Sequence, residues 1–142
     1  MSTSTLDRTV ARPRGAHVVL AGASLGAGVI HAAVVPEHLE EAWTFGAFFA
    51  ALAAFQVGWA VWLLVRPSST AYVAGAVANG GVIAIWLASR TMGLPVGPEP
   101  WTAEHIGIAD AAATLAEIVL VGGCLALVRP VVDRTARAAS SE

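Results

Sequence analysis

Four stretches of this chain are apolar almost throughout: Gly15 to Val35, Trp43 to Val65, Thr70 to Ser89 and Ile106 to Val128. A helix rising about 1.5 Å per residue needs roughly 20 such residues to cross a hydrocarbon core ~30 Å thick. The connections after the first and second stretches, PEHLEEA and RPSS, are too short for anything but antiparallel neighbours. The third, RTMGLPVGPEPWTAEH, carries too much glycine and proline to continue a helix. The expected fold is all-α: a four-transmembrane-helix antiparallel bundle over residues 15–128, flanked by disordered tails at 1–14 and 129–142. Composition agrees, because 56% hydrophobic and 13% charged residues with a mean hydropathy of +0.69 lie outside the soluble range. The first stretch could also be read as a secretory signal, but three further spans follow it.

Charge orients this bundle. All eight cationic side chains are arginine and the net charge is −2, so no basic field suits nucleic acid. Arg8, Arg12, Arg14, Arg66, Arg129, Arg134 and Arg137 fall on one side of the expected spans, which makes that side and both termini cytoplasmic in the cell membrane. Glu37, Glu40, Glu41, Glu99 and Glu104 gather on the other side with His38, His105 and Arg90. Cys124, the single cysteine, excludes an internal disulfide, a thiolate zinc site and a dithiol redox cycle.

A faint repeat relates the two halves. Aligning Phe45-Gly46 with Ile106-Gly107 sets Gln56 opposite Glu117 and closes both stretches on Arg-Pro, while GVI recurs at Gly28 and Gly81. Such a repeat implies two related helical hairpins about an axis along the membrane normal.

Helical spacing collects the buried polar groups. Asp110, Thr114 and Glu117 form one stripe of the fourth helix, and Asn79, Trp86 and Arg90 one of the third; Ser24 with His31 and Gln56 supply the first and second. Counted by helical rise, Asp110 lies about 6 Å below the end of its stretch, at the depth of His31 counted back from Val35. These two are expected to pair. Glu117, Gln56, Asn79 and Ser24 lie about 15 to 20 Å in, and form the expected midplane layer. An ionised carboxylate at that depth costs at least about 2.5 kcal/mol, so Glu117 must be neutral, paired or cation-bound. The candidate ligand-binding residues are His31, Asp110, Glu117, Gln56, Asn79 and Arg90, with Gln56 and Asn79 individually read as packing groups.

Nearer the surface, Pro36 is expected to kink or stop the first helix, leaving EHLEEAW as a short interfacial helix. Glu37 and Glu41 stand at i, i+4 there, an unfavourable pair unless a cation or Arg90 lies between them, and His38 shares the face of Glu41. Imidazole with carboxylate suits a divalent metal (Zn, Fe, Mn or Cu(II)), with His31, His38, Glu41 and Asp110 as candidate ligands. A solvated acidic turn is the plainer reading. Haem held by His31 with His38 or His105 is less favoured. Gly22 and Gly26 form a GxxxG for close helix approach, within the bundle or between protomers. Trp43, Trp86 and Trp101 suit one membrane interface, and Trp59 and Trp62 the other. The Gly/Pro-rich connection is expected to form a lid, with Arg90 pairing an acid or holding an anionic ligand.

The segments IHAAVVPEHLEE, FGAFFAALAAFQ, WLASRTMGLPVGP and EHIGIADAAATLAE resemble small four-helix integral membrane proteins of high-GC actinobacterial type. That group carries no established activity, so the resemblance implies a topology and no reaction. No nucleophile triad or phosphate loop is visible. The residues point first to an outward-opening intramembrane polar pocket for a metal ion or small polar ligand. Second comes an accessory or structural subunit whose polar groups only fix helix packing, and third a quinone- or haem-linked membrane oxidoreductase. The bilayer is the expected partner, with a homo-oligomer or larger membrane complex also compatible.

Overall fold

The computed structural model describes residues 15–139 in backbone and 15–128 in side chains, so the expected tail at 1–14 lies outside the described residues. Four helices follow in chain order: α1 (Ala16–Glu41), α2 (Trp43–Val65), α3 (Ser69–Thr91) and α4 (Ile108–Ala139). Each contains a window long and apolar enough to span a membrane. Between 22% and 33% of each such window is buried inside the bundle. Most of the apolar surface therefore points outward, as at Val29, Val61, Val77 and Ile118. A bilayer accepts that surface where water would not, and the chain is a multi-pass membrane protein.

Two expected ends move. α1 does not stop at Pro36 but runs through it to Glu41, so EHLEE is its last turn and not a separate helix. Proline within a membrane helix is tolerated at the loss of one i−4 bond, here to the carbonyl of residue 32; two residues on, His38 Nδ1 also donates to the Val34 carbonyl at 2.8 Å and holds the last turns together. At about 1.5 Å per residue, α1 is ~39 Å long, which exceeds the ~30 Å core and lets its charged last turn protrude. α4 likewise continues as helix to Ala139, where a disordered tail from 129 was expected. Alanine and arginine are strong helix formers and an existing helix extends cheaply once nucleated, which outweighs the loss at Pro130.

α1 packs closely on α2 and α3 on α4; the two hairpins join chiefly through α1 and α4, while α2 and α3 touch little. That small α2–α3 contact runs from the turn that joins them to about mid-helix, where Gln56 meets Asn79. Trp59 Nε1 donates to the Ala71 carbonyl at 2.8 Å, and a Cβ on Gly75 would collide with the Trp59 indole. Trp59 is thus 2% exposed, a core residue and not an interfacial anchor. It joins Leu20, Leu63, Tyr72, Leu120, Cys124 and Leu127 in the apolar core at that end. Gly22 and Gly26 face open space, so the close approach of α1 within the bundle falls instead to Gly28, whose added Cβ would stand 3.2 Å from Gln56 Cβ.

Candidate functional site

Above the apolar core the polar groups separate into two layers, not one. The lower is an amide and hydroxyl chain. Ser24 Oγ lies 2.8 Å from the Gln56 carbonyl and 2.5 Å from Gln56 Oε1. Gln56 Nε2 donates to Asn79 Oδ1 at 2.8 Å, and Asn79 Nδ2 to the Gly75 carbonyl at 2.8 Å. All three side chains are fully buried, and they tie α1, α2 and α3 together. A neutral network whose members are paired holds helices without a charge to desolvate, as the packing reading of Gln56 and Asn79 expects.

The upper layer belongs to α1 and α4. His31 Nε2 stands 3.0 Å from Glu117 Oε1, with His31 4% and Glu117 1% exposed. One proton lies between those atoms, on the imidazole or on the carboxyl. The expected pairing of His31 with Asp110 is therefore corrected. Its error was the helix end: counted from Glu41, His31 lies about 15 Å in, and Glu117 counted from Ile108 lies about 14 Å in. Neither Gln56 nor Asn79 bonds Glu117 among the described residues.

Asp110 serves the rim instead. Its Oδ2 accepts from Arg90 Nη2 at 2.5 Å and from the Gly107 backbone N–H at 3.2 Å, so it caps the start of α4 where its charge also favours the helix dipole. Arg90 Nη1 pairs with Glu104. A cation expected to meet one acid thus stands between two, and Glu37 and Glu41 are left exposed without it.

The connection after α3 roofs this arrangement. Glu104 N–H donates to the Ser89 carbonyl at 3.0 Å and Trp101 N–H to the Leu94 carbonyl at 2.8 Å. Gly93 has φ +74°, and a Cβ there would strike the Trp101–Thr102 backbone; Gly97, at φ +108°, lies against the Phe45 ring of α2. The loop consequently bridges the ends of α3 and α2, as a lid would.

Beneath it lies a pocket of about 80 Å³ that holds the whole Asp110–Thr114–Glu117 stripe together with His31, His38 and Arg90. Its walls are mostly apolar, with Phe48, Phe49 and Leu52 from α2 and Val82 and Ile85 from α3. The His38 ring lies 4.1 Å from that of Phe49, and the His31 ring 5.8 Å. Because His38 Nδ1 donates to a carbonyl, a neutral His38 keeps its lone pair on Nε2. Of the four candidate metal ligands, His31, His38 and Asp110 line the pocket while Glu41 is exposed outside it. Among the described residues no three His, Cys, Asp or Glu side chains gather so as to hold a metal ion. His105 is exposed on the loop and lies apart from His31 and His38.

Trp86 is the residue whose role the sequence hid. Read there as an interfacial tryptophan, it lines the pocket, and its Nε1–H is buried without a partner. Arg90 Nε is in the same condition. A buried donor left unpaired costs about 1 to 3 kcal/mol. The i+7 spacing from Asn79 was the available signal. Set against models of protein families, curated proteins and solved structures, the chain matches none of them.

Proposed function

We propose that this is a multi-pass protein of the cell membrane, with both termini cytoplasmic, that binds a small polar-headed ligand in the pocket above His31 and Glu117. The observation that carries this reading is the contrast in hydrogen bonding. Every polar side-chain atom of the Ser24–Gln56–Asn79 layer has a partner, whereas one level up the pocket has a proton-sharing pair at its floor and two lining residues, Trp86 and Arg90, each with a buried N–H that has none. Groups that served only packing would be expected to saturate one another. Orientation rests on the arginine distribution and puts the pocket on the outer side.

A molecular ligand is favoured over a metal ion because the site's acids are engaged: Asp110 by Arg90 and Gly107, Glu117 by His31. The accessory-subunit reading draws its support from the lower layer alone. The test is extraction of the protein into lipid nanodiscs and measurement of small molecules retained through purification. A near-stoichiometric molecule is expected with the wild type and lost when Val82→Trp fills the wall. Identical profiles for the two would favour the accessory reading. Orientation is checked by thiol labelling of intact cells with cysteine placed at Ser69 or Val96; Cys124 is buried and stays silent. Position 96 should label and position 69 should not.

A further inference from the structure

We infer that the pocket takes an uncharged, lipid-borne molecule with a carbonyl-type acceptor at its head and a hydrocarbon tail, of which an alkylated benzoquinone is the chemical type, and that it is admitted sideways from the bilayer between α2 and α3. This rests on the ligand-binding reading above and specifies the class and the route.

The route follows from packing. α2 and α3 are pinned together by Trp59 on Ala71 and Gly75 and, about halfway along, by Gln56 on Asn79, and touch little beyond that bond. The pocket lies between their far halves, with Phe45, Phe48, Phe49 and Leu52 on one wall and Val82 and Ile85 on the other. Ile85 is both a lining residue and 41% exposed, which puts it at the rim. The loop from 92 to 107 covers the end of the bundle, with Gly97 against Phe45 and Glu104 bonded to Ser89. The side facing the lipid is the one that no helix closes. At about 80 Å³ the space is about half the ~150 Å³ that takes a benzene ring, so a ring head enters by moving side chains of the wall and a tail must run out through the apolar gap.

The head follows from charge and donors. Arg90 is already opposed by Glu104 and Asp110, and Glu117 lies deeper in the same pocket, so an anionic head meets more negative charge than positive. A cationic head would face two N–H groups that need acceptors, Trp86 Nε1 and Arg90 Nε. A neutral head bearing oxygen acceptors satisfies both conditions. Both N–H groups are buried, and the ligand meets them by displacing what covers them.

The experiment uses the full chain in lipid nanodiscs and a decyl-substituted benzoquinone, with the same head lacking the decyl chain, decanoate, and decyltrimethylammonium as comparison probes. The decyl quinone should bind saturably at one per chain, and the tail-less head at least ten times more weakly. Trp86→Phe, which keeps the ring and loses the donor, should weaken binding about fivefold, the worth of one hydrogen bond. Ile85→Trp, at the exposed rim, should slow association at least tenfold with the fold intact by circular dichroism. Tighter binding of decanoate or of the ammonium probe overturns the neutral head. Equal binding of the tail-less head, or association untouched by Ile85→Trp, overturns the lateral route. If no probe binds while wild-type protein still retains a molecule that Val82→Trp loses, the class is wrong and the ligand-binding reading stands. If nothing is retained and nothing binds, both fail.

Discussion

α1 and α4 close on each other along their seam, whereas α2 and α3, which a hairpin repeat would make the equivalent seam, touch little and only as far as the Gln56–Asn79 bond about halfway along. Under exchange of hairpins, Gln56 reaching α3 corresponds to Glu117 reaching α1. The counterparts differ in chemistry. On the α2 side an amide joins a neutral hydrogen-bonded chain about halfway along the pair. On the α4 side a carboxyl shares a proton with an imidazole at the floor of a pocket. The difference teaches that breaking the repeat is what makes the pocket: had α2 and α3 closed as α1 and α4 do, Phe49, Ile85 and Trp86 would be core.

Substitutions that separate the two layers test this comparison. Gln56→Leu should do the most harm, about 2 kcal/mol, because the side-chain link between α1, α2 and α3 is cut and Asn79 Oδ1 is left buried without its donor, while Ser24 keeps only the residue-56 carbonyl. Loss of thermal stability in detergent would measure it, and a neutral effect would mean that the lower layer is not what holds the bundle. Next, His31→Ala and Glu117→Gln should be coupled by about 1 to 2 kcal/mol in a double-mutant cycle, while His31→Ala and Asp110→Asn should add within about 0.5 kcal/mol. Coupling of His31 to Asp110 would restore the pairing that the depth count from Val35 suggested. Arg90→Gln should cost about 1 kcal/mol, since its two ion pairs sit at the rim with Glu104 partly exposed, and should expose the 92–107 loop to protease in nanodiscs. Smallest of all, Gly22→Ala with Gly26→Ala should change monomer stability by under about 0.5 kcal/mol, because open space lies beside both.

The number of helices and the bounds of α2 were legible in the sequence, because apolar length and Arg-Pro or Gly/Pro punctuation mark both ends of such a span. So was the Asp110–Thr114–Glu117 stripe, since helical spacing depends on nothing outside α4. Pro36 misled: in water it would end α1, but in a membrane helix the backbone has no better partner than itself, and the helix continues past the one bond lost to the residue-32 carbonyl. That single misplaced end shifted His31 by about a turn and a half and gave it the wrong acid. Which helix leaves a gap beside which depends on the shapes of Trp59 and Gly75 against one another, and no periodicity carries that. Trp86 was misjudged for the same reason, because an interfacial and a pocket-lining tryptophan have the same spacing from the membrane surface.

The Trp59–Gly75 contact is also a fulcrum. From Gly75 to Ser89 α3 runs about 21 Å, so a tilt of about 5° about that contact carries the far arm through about 2 Å, enough to admit or expel a methyl-sized obstruction. Such a tilt would be made against acyl chains and not against water, and would have to give at the Gln56–Asn79 bond and on α4, so bilayer thickness and chain order would bear on the width of the gap.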